Sequence, residues 1–333
     1  MMTTVVRSLA ATTCVLVFAG CAMLLGVRPL STARVGTTTF HQLRIGGRTR
    51  RFLLHLPPSA ATHRVPLVLA FHGHHGNGAV LREQSRLDAA ADRLGFAIAY
   101  PDGTGRFGYL GLTWNAGTCC GAPHADGVDD LTFVDSLVAA VGRIASVDGT
   151  RVFATGFSAG GMLALRLACE RATQFLAVAD VQGAMPDVAC TPSRPISVLL
   201  LQGADDDELR EDLRTLPRPR GHPFAQSLEH ALTYWSRVNG CAVAAVERDS
   251  QPEAVRTRAV ACAPGHAVEL VTVAGHPHAW PGGKRAWLLA PRPVTSFDAS
   301  RLLLEFFRDV YAGRRAATSP SRHAEPDRVR PED

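Results

Sequence analysis

The stretch best equipped for chemistry is Gly156-Phe157-Ser158-Ala159-Gly160, followed by Gly161. It sits between the apolar run Arg151–Phe157 and the helically spaced segment Ala159–Cys169. A serine on so tight a strand-to-helix turn holds its hydroxyl clear of the sheet, and its neighbours must be small for strand and helix to approach. A hydroxyl is a weak nucleophile, so it needs a base that is itself oriented by a third group. The base is expected on the loop Gly275-His276-Pro277-His278-Ala279-Trp280-Pro281-Gly282, where spacing does not separate His276 from His278. The acid is expected after Ile196–Leu201, where Gly203-Ala204-Asp205-Asp206-Asp207 offers three candidates. The bland alternative is an inert serine in a βα turn and aspartates that cap helices; for two of the three acids it must hold.

Acyl transfer at a serine also needs two backbone N–H groups preset for the developing oxyanion. One is the amide of Ala159. The other is expected from His72-Gly73-His74-His75-Gly76, after the run Val65–Phe71, and by position it is the amide of His74. His72, His74, His75, His276 and His278 raise a metal site as a rival. The metallohydrolase pattern His-x-His-x-Asp-His needs Asp at 76, where Gly76 stands, so neither a metal nor another cofactor is expected.

These residues need a scaffold. Val65–Phe71, Phe96–Tyr100, Arg151–Phe157, Leu176–Val181, Ile196–Leu201 and Val268–Val273 are near-continuous apolar runs, as in strands buried on both faces of a parallel sheet. Helical spacing fills the gaps at Leu81–Leu94, Leu131–Ile144, Ala159–Cys169 and Phe224–Val238, and Asp298–Val310 closes the series. Alternation of this kind predicts βαβ units in a doubly wound, mostly parallel α/β sheet with helices on both faces. Phe40–Ile45 and Phe52–Leu56, joined through Gly46-Gly47, read as an antiparallel hairpin leading into it.

The chain has 333 residues, 46% hydrophobic, enough for a sizeable core, and its 35 Lys+Arg against 30 Asp+Glu show no concentrated basic stripe. Nucleic-acid binding and wholesale disorder are therefore excluded as readings. Residues 1–36 read as an export segment and linker: Arg7, then an apolar stretch, then Phe18-Ala19-Gly20-Cys21, which resembles a lipobox with Cys21 as the lipidated residue. Leu9–Val27 is also long enough for an uncleaved membrane anchor, so attachment through either is an expectation beside plain secretion to the cell surface or medium. Residues 37–311 form one body, expected to act as a monomer, and 312–333 read as a disordered tail. Six cysteines remain in the body, Cys119, Cys120, Cys169, Cys190, Cys241 and Cys262, and in an oxidising compartment they predict disulfides. Leu209–Pro223, rich in Arg and Pro, reads as a lid or a plain surface insertion.

Taken together, AFHG at 70–73, AYPDG at 99–103, WN at 114–115, CCG at 119–121, VDD at 128–130 and RVFATGFSAGGM at 151–162 resemble the polyhydroxybutyrate depolymerase-type esterases. YW…NGC at 234–241, HAWPG at 278–282 and FDAS…EFF at 297–307 complete the likeness. This is the α/β-hydrolase family that includes feruloyl-esterase-like and lipoprotein esterases. The resemblance implies an exported serine esterase acting on hydroxyalkanoate, feruloyl, acetyl or short acyl esters, small or polymeric. It implies Ser158 as nucleophile, His278 as base and Asp206 as acid, with Asp205 and Asp207 in reserve. Around the acid the chain departs from the family: Gln202 stands for the usual His and Ala204 for the usual Thr, and the Val-Pro-Tyr that normally follows is missing. That drift is the one feature favouring a catalytically dead binding protein, and a peptidase of the same fold is the other alternative. The likeness further implies a Cys241–Cys262 disulfide, with the other four pairings open, and places Trp114 and Trp280 on the acyl site or, equally, in the core. Asp129 and Asp130 are expected to cap the following helix.

Overall fold

In the computed structural model, which describes residues 33–185, 190–208, 228–242 and 245–318, the apolar runs form the middle of one ten-stranded sheet. Its strands are β1 (Thr38–Ile45), β2 (Arg48–His55), β3 (Val65–Phe71), β4 (Ala97–Pro101), β5 (Val147–Phe157), β6 (Ala177–Val181), β7 (Ser197–Gly203), β8 (Val246–Ser250), β9 (Ala254–Ala259) and β10 (Val268–Val273). The order across the sheet is β1-β2-β4-β3-β5-β6-β7-β10-β9-β8. The six central strands, β4 to β10, pair in parallel, and the hairpins β1–β2 and β8–β9 flank them in antiparallel sense.

Because side chains alternate faces along a strand, a strand covered on both sides must be apolar at every position. On β3, Leu67, Leu69 and Phe71 enter one core with Phe133, Leu163 and Trp235, while Val68 and Ala70 enter the other with Leu87, Leu303 and Phe307. The helices divide accordingly. In chain order they are α1 (Gly78–Ser85), α2 (Leu87–Leu94), α3 (Gly121–Ala125), α4 (Asp130–Ile144), α5 (Ala159–Glu170), α6 (Leu228–Val238) and α7 (Ala299–Thr318). Residues of α4, α5 and α6 cover the first face and residues of α1, α2 and α7 the second.

Several features depart from the sequence expectations, among them helix α3 and the start of β5 at Val147 rather than Arg151. Leu81–Leu94 is not one helix: Arg86, at φ 59°, ends α1 and begins α2. The β8–β9 hairpin was not anticipated, because all five residues of β8 are exposed and carry no apolar alternation. The last helix runs to Thr318, past both Val310 and the expected start of the tail at 312. Its polar end is held by Arg314, whose guanidinium donates to the Leu176 carbonyl at 3.0 Å, a long-range contact with no local signature. The expected export segment with Cys21, the expected lid or insertion Leu209–Pro223, residues 224–227 of the expected α6 and the part of the expected tail beyond 318 lie outside the described residues. Among the described residues no helix is long and apolar enough to cross a membrane.

Candidate active site

Ser158 follows β5 with φ 53° and ψ −121°, a conformation that L-residues rarely adopt. The glycines around it are required by contact. A Cβ on Gly156 would run into the Gly160 backbone, one on Gly160 into the Phe71 carbonyl, and one on Gly161 into the Asp180 carboxyl. The Ser158 amide donates to the Val181 carbonyl at 2.9 Å, which fixes the turn to the end of β6. On the other side the loop after β3 presses against it, since a Cβ on Gly73 would sit 3.4 Å from the Ser158 Cβ.

His278 and Asp206 come from different strand ends, after β10 and β7, and meet at 2.8 Å between Nδ1 and Oδ2. Both side chains are nearly enclosed, at 9% and 2% exposure. The structure gives the two histidines of the base loop different surroundings. His276 is fully buried, with Nε2 3.0 Å from the Ala279 carbonyl and Nδ1 accepting the Val294 amide at 3.1 Å, so both nitrogens serve the loop itself. Burial holds its pKa below the usual histidine range. The Asp205 amide donates to the His276 carbonyl at 3.1 Å, tying acid loop to base loop. Sequence reasoning missed Glu208, whose Oε2 lies 3.3 Å from His278 Nε2 with the side chain 65% exposed.

His74 and Ala159 both line the cavity at Ser158. The loop carrying His74 is braced by His72, buried, with Nδ1 at 2.7 Å from the Gly73 carbonyl and Nε2 accepting the Gly103 amide at 2.9 Å. Desolvation pushes the His72 pKa down to about 4, so the ring is neutral and both nitrogens are spent on backbone. Among the described residues no group of three His, Cys, Asp or Glu side chains is placed to hold a metal ion.

Trp114 and Trp280 require a correction: neither is on the cavity wall, and both are fully buried. Trp114 donates its indole N–H to the His72 carbonyl at 2.8 Å and packs edge-on against Phe71. Trp280 donates to Ser300 Oγ at 2.9 Å, and that hydroxyl donates in turn to the Ser85 carbonyl at 2.6 Å, linking base loop, α7 and α1. Each ring is large enough to fill a core and has found a partner for its one donor, which is how tryptophan is usually buried. Asp129 does cap α4, accepting the Thr132 amide at 2.9 Å. Asp130 does not cap; it forms a buried ion pair with Arg50 at 2.8 Å and accepts the Asn115 amide at 2.8 Å, anchoring the loop of residues 114–121.

The cavity encloses about 460 Å³. Ser158, His278, Gln182 and Glu208 line it with a wall of Thr118, Cys119, Cys120, His124 and Met162. Cys119 is disulfide-bonded to its neighbour Cys120, and the other pairs are Cys169–Cys190 and Cys241–Cys262. Behind the elbow Asp180 is fully buried, its carboxyl accepting the Gly183 amide at 2.9 Å and the Gln202 amide group at 2.8 Å. Desolvation, with the nearby Asp206 adding to it, pushes the Asp180 pKa up to about 8. A neutral Asp180 places no second negative charge near Asp206.

The model of the esterase family described as Esterase PHB depolymerase matches residues 50–201, which run from within β2 to within β7 and include the whole elbow. A protein of Nocardia uniformis subsp. tsuyamanensis named "Putative esterase NocK" is 34% identical over 274 residues, 77% of each chain. Feruloyl esterase B of Piromyces equi is 27% identical over 67% of this chain, which spans 41% of that protein's length. Among solved structures, an acetyl xylan esterase from Aspergillus awamori superposes with a TM-score of 0.54 at 15% identity, covering 81% of this chain and 99% of its own. An S-formylglutathione hydrolase from Agrobacterium tumefaciens gives 0.52 at 14% identity, over 87% and 98% of the two chains. These last two speak for the α/β-hydrolase fold. With relatedness extending over three quarters of its length, the chain belongs to the PHB depolymerase family of esterases and is an enzyme of the ester-hydrolase class.

Proposed function

We propose that the chain hydrolyses carboxylic esters through an acyl-enzyme on Ser158, with His278 as general base and Asp206 holding its tautomer. The observation that carries this reading is the 2.8 Å contact between His278 Nδ1 and Asp206 Oδ2 at the cavity where Ser158 stands at φ 53°. His278 Nε2 takes the Ser158 proton as Oγ attacks the ester carbonyl. The amides of His74 and Ala159 receive the oxyanion, and the alkoxide leaves with the proton held by His278. Water, deprotonated by the same histidine, attacks the acyl carbon, and collapse of the second tetrahedral intermediate frees the acid and returns the proton to Ser158.

The cavity volume and its sulfur- and threonine-bearing wall suit a short or aromatic acyl group on a small or soluble ester, in keeping with the acetyl and feruloyl esters named for the relatives. Three disulfides and the apolar N-terminal sequence support export of the enzyme, attached through Cys21 or released. The test is turnover of p-nitrophenyl acetate, butyrate and octanoate by the protein and its Ser158→Ala variant. The variant is expected to lose about 10⁴-fold or more in kcat, and a variant that keeps near-native turnover overturns the assignment.

A further inference from the structure

Three loops must be held in register for the proposed triad to work: the elbow after β5, the acid loop after β7 and the base loop after β10. Sheet pairing aligns β7 with β10 up to Gly203 and Val273, but His278 lies five residues beyond that ladder. Misplacement of a catalytic group by about 1 Å can cost on the order of 10² in rate, so something beyond the sheet has to fix this loop.

We propose that Gln182 is the positioning residue that fixes it, clamping the His278 loop to the Asp206 loop. Its side-chain amide donates to the Pro277 carbonyl at 3.0 Å and to the Ala279 carbonyl at 3.3 Å, the two carbonyls that flank His278. Its Oε1 accepts the Gly203 amide at 3.0 Å, at the root of the acid loop. Its own backbone amide donates to the Leu201 carbonyl at 2.9 Å, and the preceding carbonyl, of Val181, receives the Ser158 amide. One fully buried side chain thus joins all three segments with its acceptor and both donor hydrogens engaged. The residue is at φ 58°, a backbone state that a non-glycine residue occupies only when its surroundings hold it there. The clamp also leaves no room for a side chain at Gly203: a Cβ there would sit 2.9 Å from Gln182 Nε2 and run into the His276 carbonyl.

The inference rests on the triad reading, so its test separates the two. Gln182→Asn keeps the amide and a residue type that tolerates positive φ, but is one methylene too short to span the loops. Gln182→Glu keeps the length and the acceptor for Gly203 but offers no N–H to the two carbonyls. For p-nitrophenyl acetate both variants are expected to lose about 10- to 100-fold in kcat with KM within about threefold. In a His278→Ala background the same substitutions are expected to change residual turnover less than about twofold, because the group they position is gone. Folded variants with unaltered kcat, or an equal loss in both backgrounds, would overturn the clamp. Native turnover by His278→Ala alone would overturn the triad reading and the clamp with it.

Discussion

Asp180 sets a pH dependence that belongs to a single side chain. Its folded pKa is about 8 against an ordinary value of 3.8, because burial penalises the carboxylate. Between about pH 4 and pH 8 the folded state therefore holds a proton that the unfolded state has released, and stability falls as pH rises through that window. Asp180→Asn removes the titration. In urea unfolding the wild type should lose more stability than the variant between pH 5 and pH 8, and parallel slopes would contradict the assignment. At this scale the sequence pointed to Ser158 unaided, because the serine, its flanking glycines and the strand–helix context are contiguous. It could not separate His276 from His278 or rank three adjacent aspartates, since that choice depends on contacts between loops 72 residues apart. Gln182 and Glu208 had no signal at all: a glutamine or glutamate of unremarkable spacing becomes part of a site only when three strand ends converge.

The elements were legible wherever a strand is buried on both faces, and β3 and β10 fall on the expected residues without a shift. They were illegible where long-range contacts override local pattern, as at exposed β8 and at the Arg314-anchored end of α7. The Arg50–Asp130 pair has the same origin: VDD at 128–130 looks like a helix cap, and only the fold brings Arg50 of β2 to it. Both groups are buried, and burial alone pushes the Asp130 carboxyl up and the Arg50 guanidinium down, so their attraction offsets a large desolvation cost. Asp130→Ala leaves Arg50 buried without its carboxylate and is expected to lose about 3–5 kcal/mol in chemical denaturation. The double replacement Arg50→Met with Asp130→Leu should recover most of that loss; a double variant as unstable as the single one would contradict this account.

For the molecule as a whole, the disulfides divide into two kinds by the loops they close. Cys169–Cys190 and Cys241–Cys262 each span 21 residues of sequence and restrain the unfolded chain, worth about 3 kcal/mol apiece on loop-closure entropy. Cys119–Cys120 closes no loop but lines the cavity at Ser158. Paired serine replacements at 241 and 262 should therefore lower the unfolding midpoint with turnover of the folded enzyme preserved. At 119 and 120 they should alter kcat or KM with little change in midpoint, and the reverse pattern would contradict the division. The most direct measurement of the central claim is covalent trapping: incubation with a small fluorophosphonate, then peptide mapping by mass spectrometry. A single adduct on Ser158, with turnover lost in proportion and no adduct in Ser158→Ala, is the predicted result. Labelling at another residue, or full turnover by protein modified at Ser158, would contradict it.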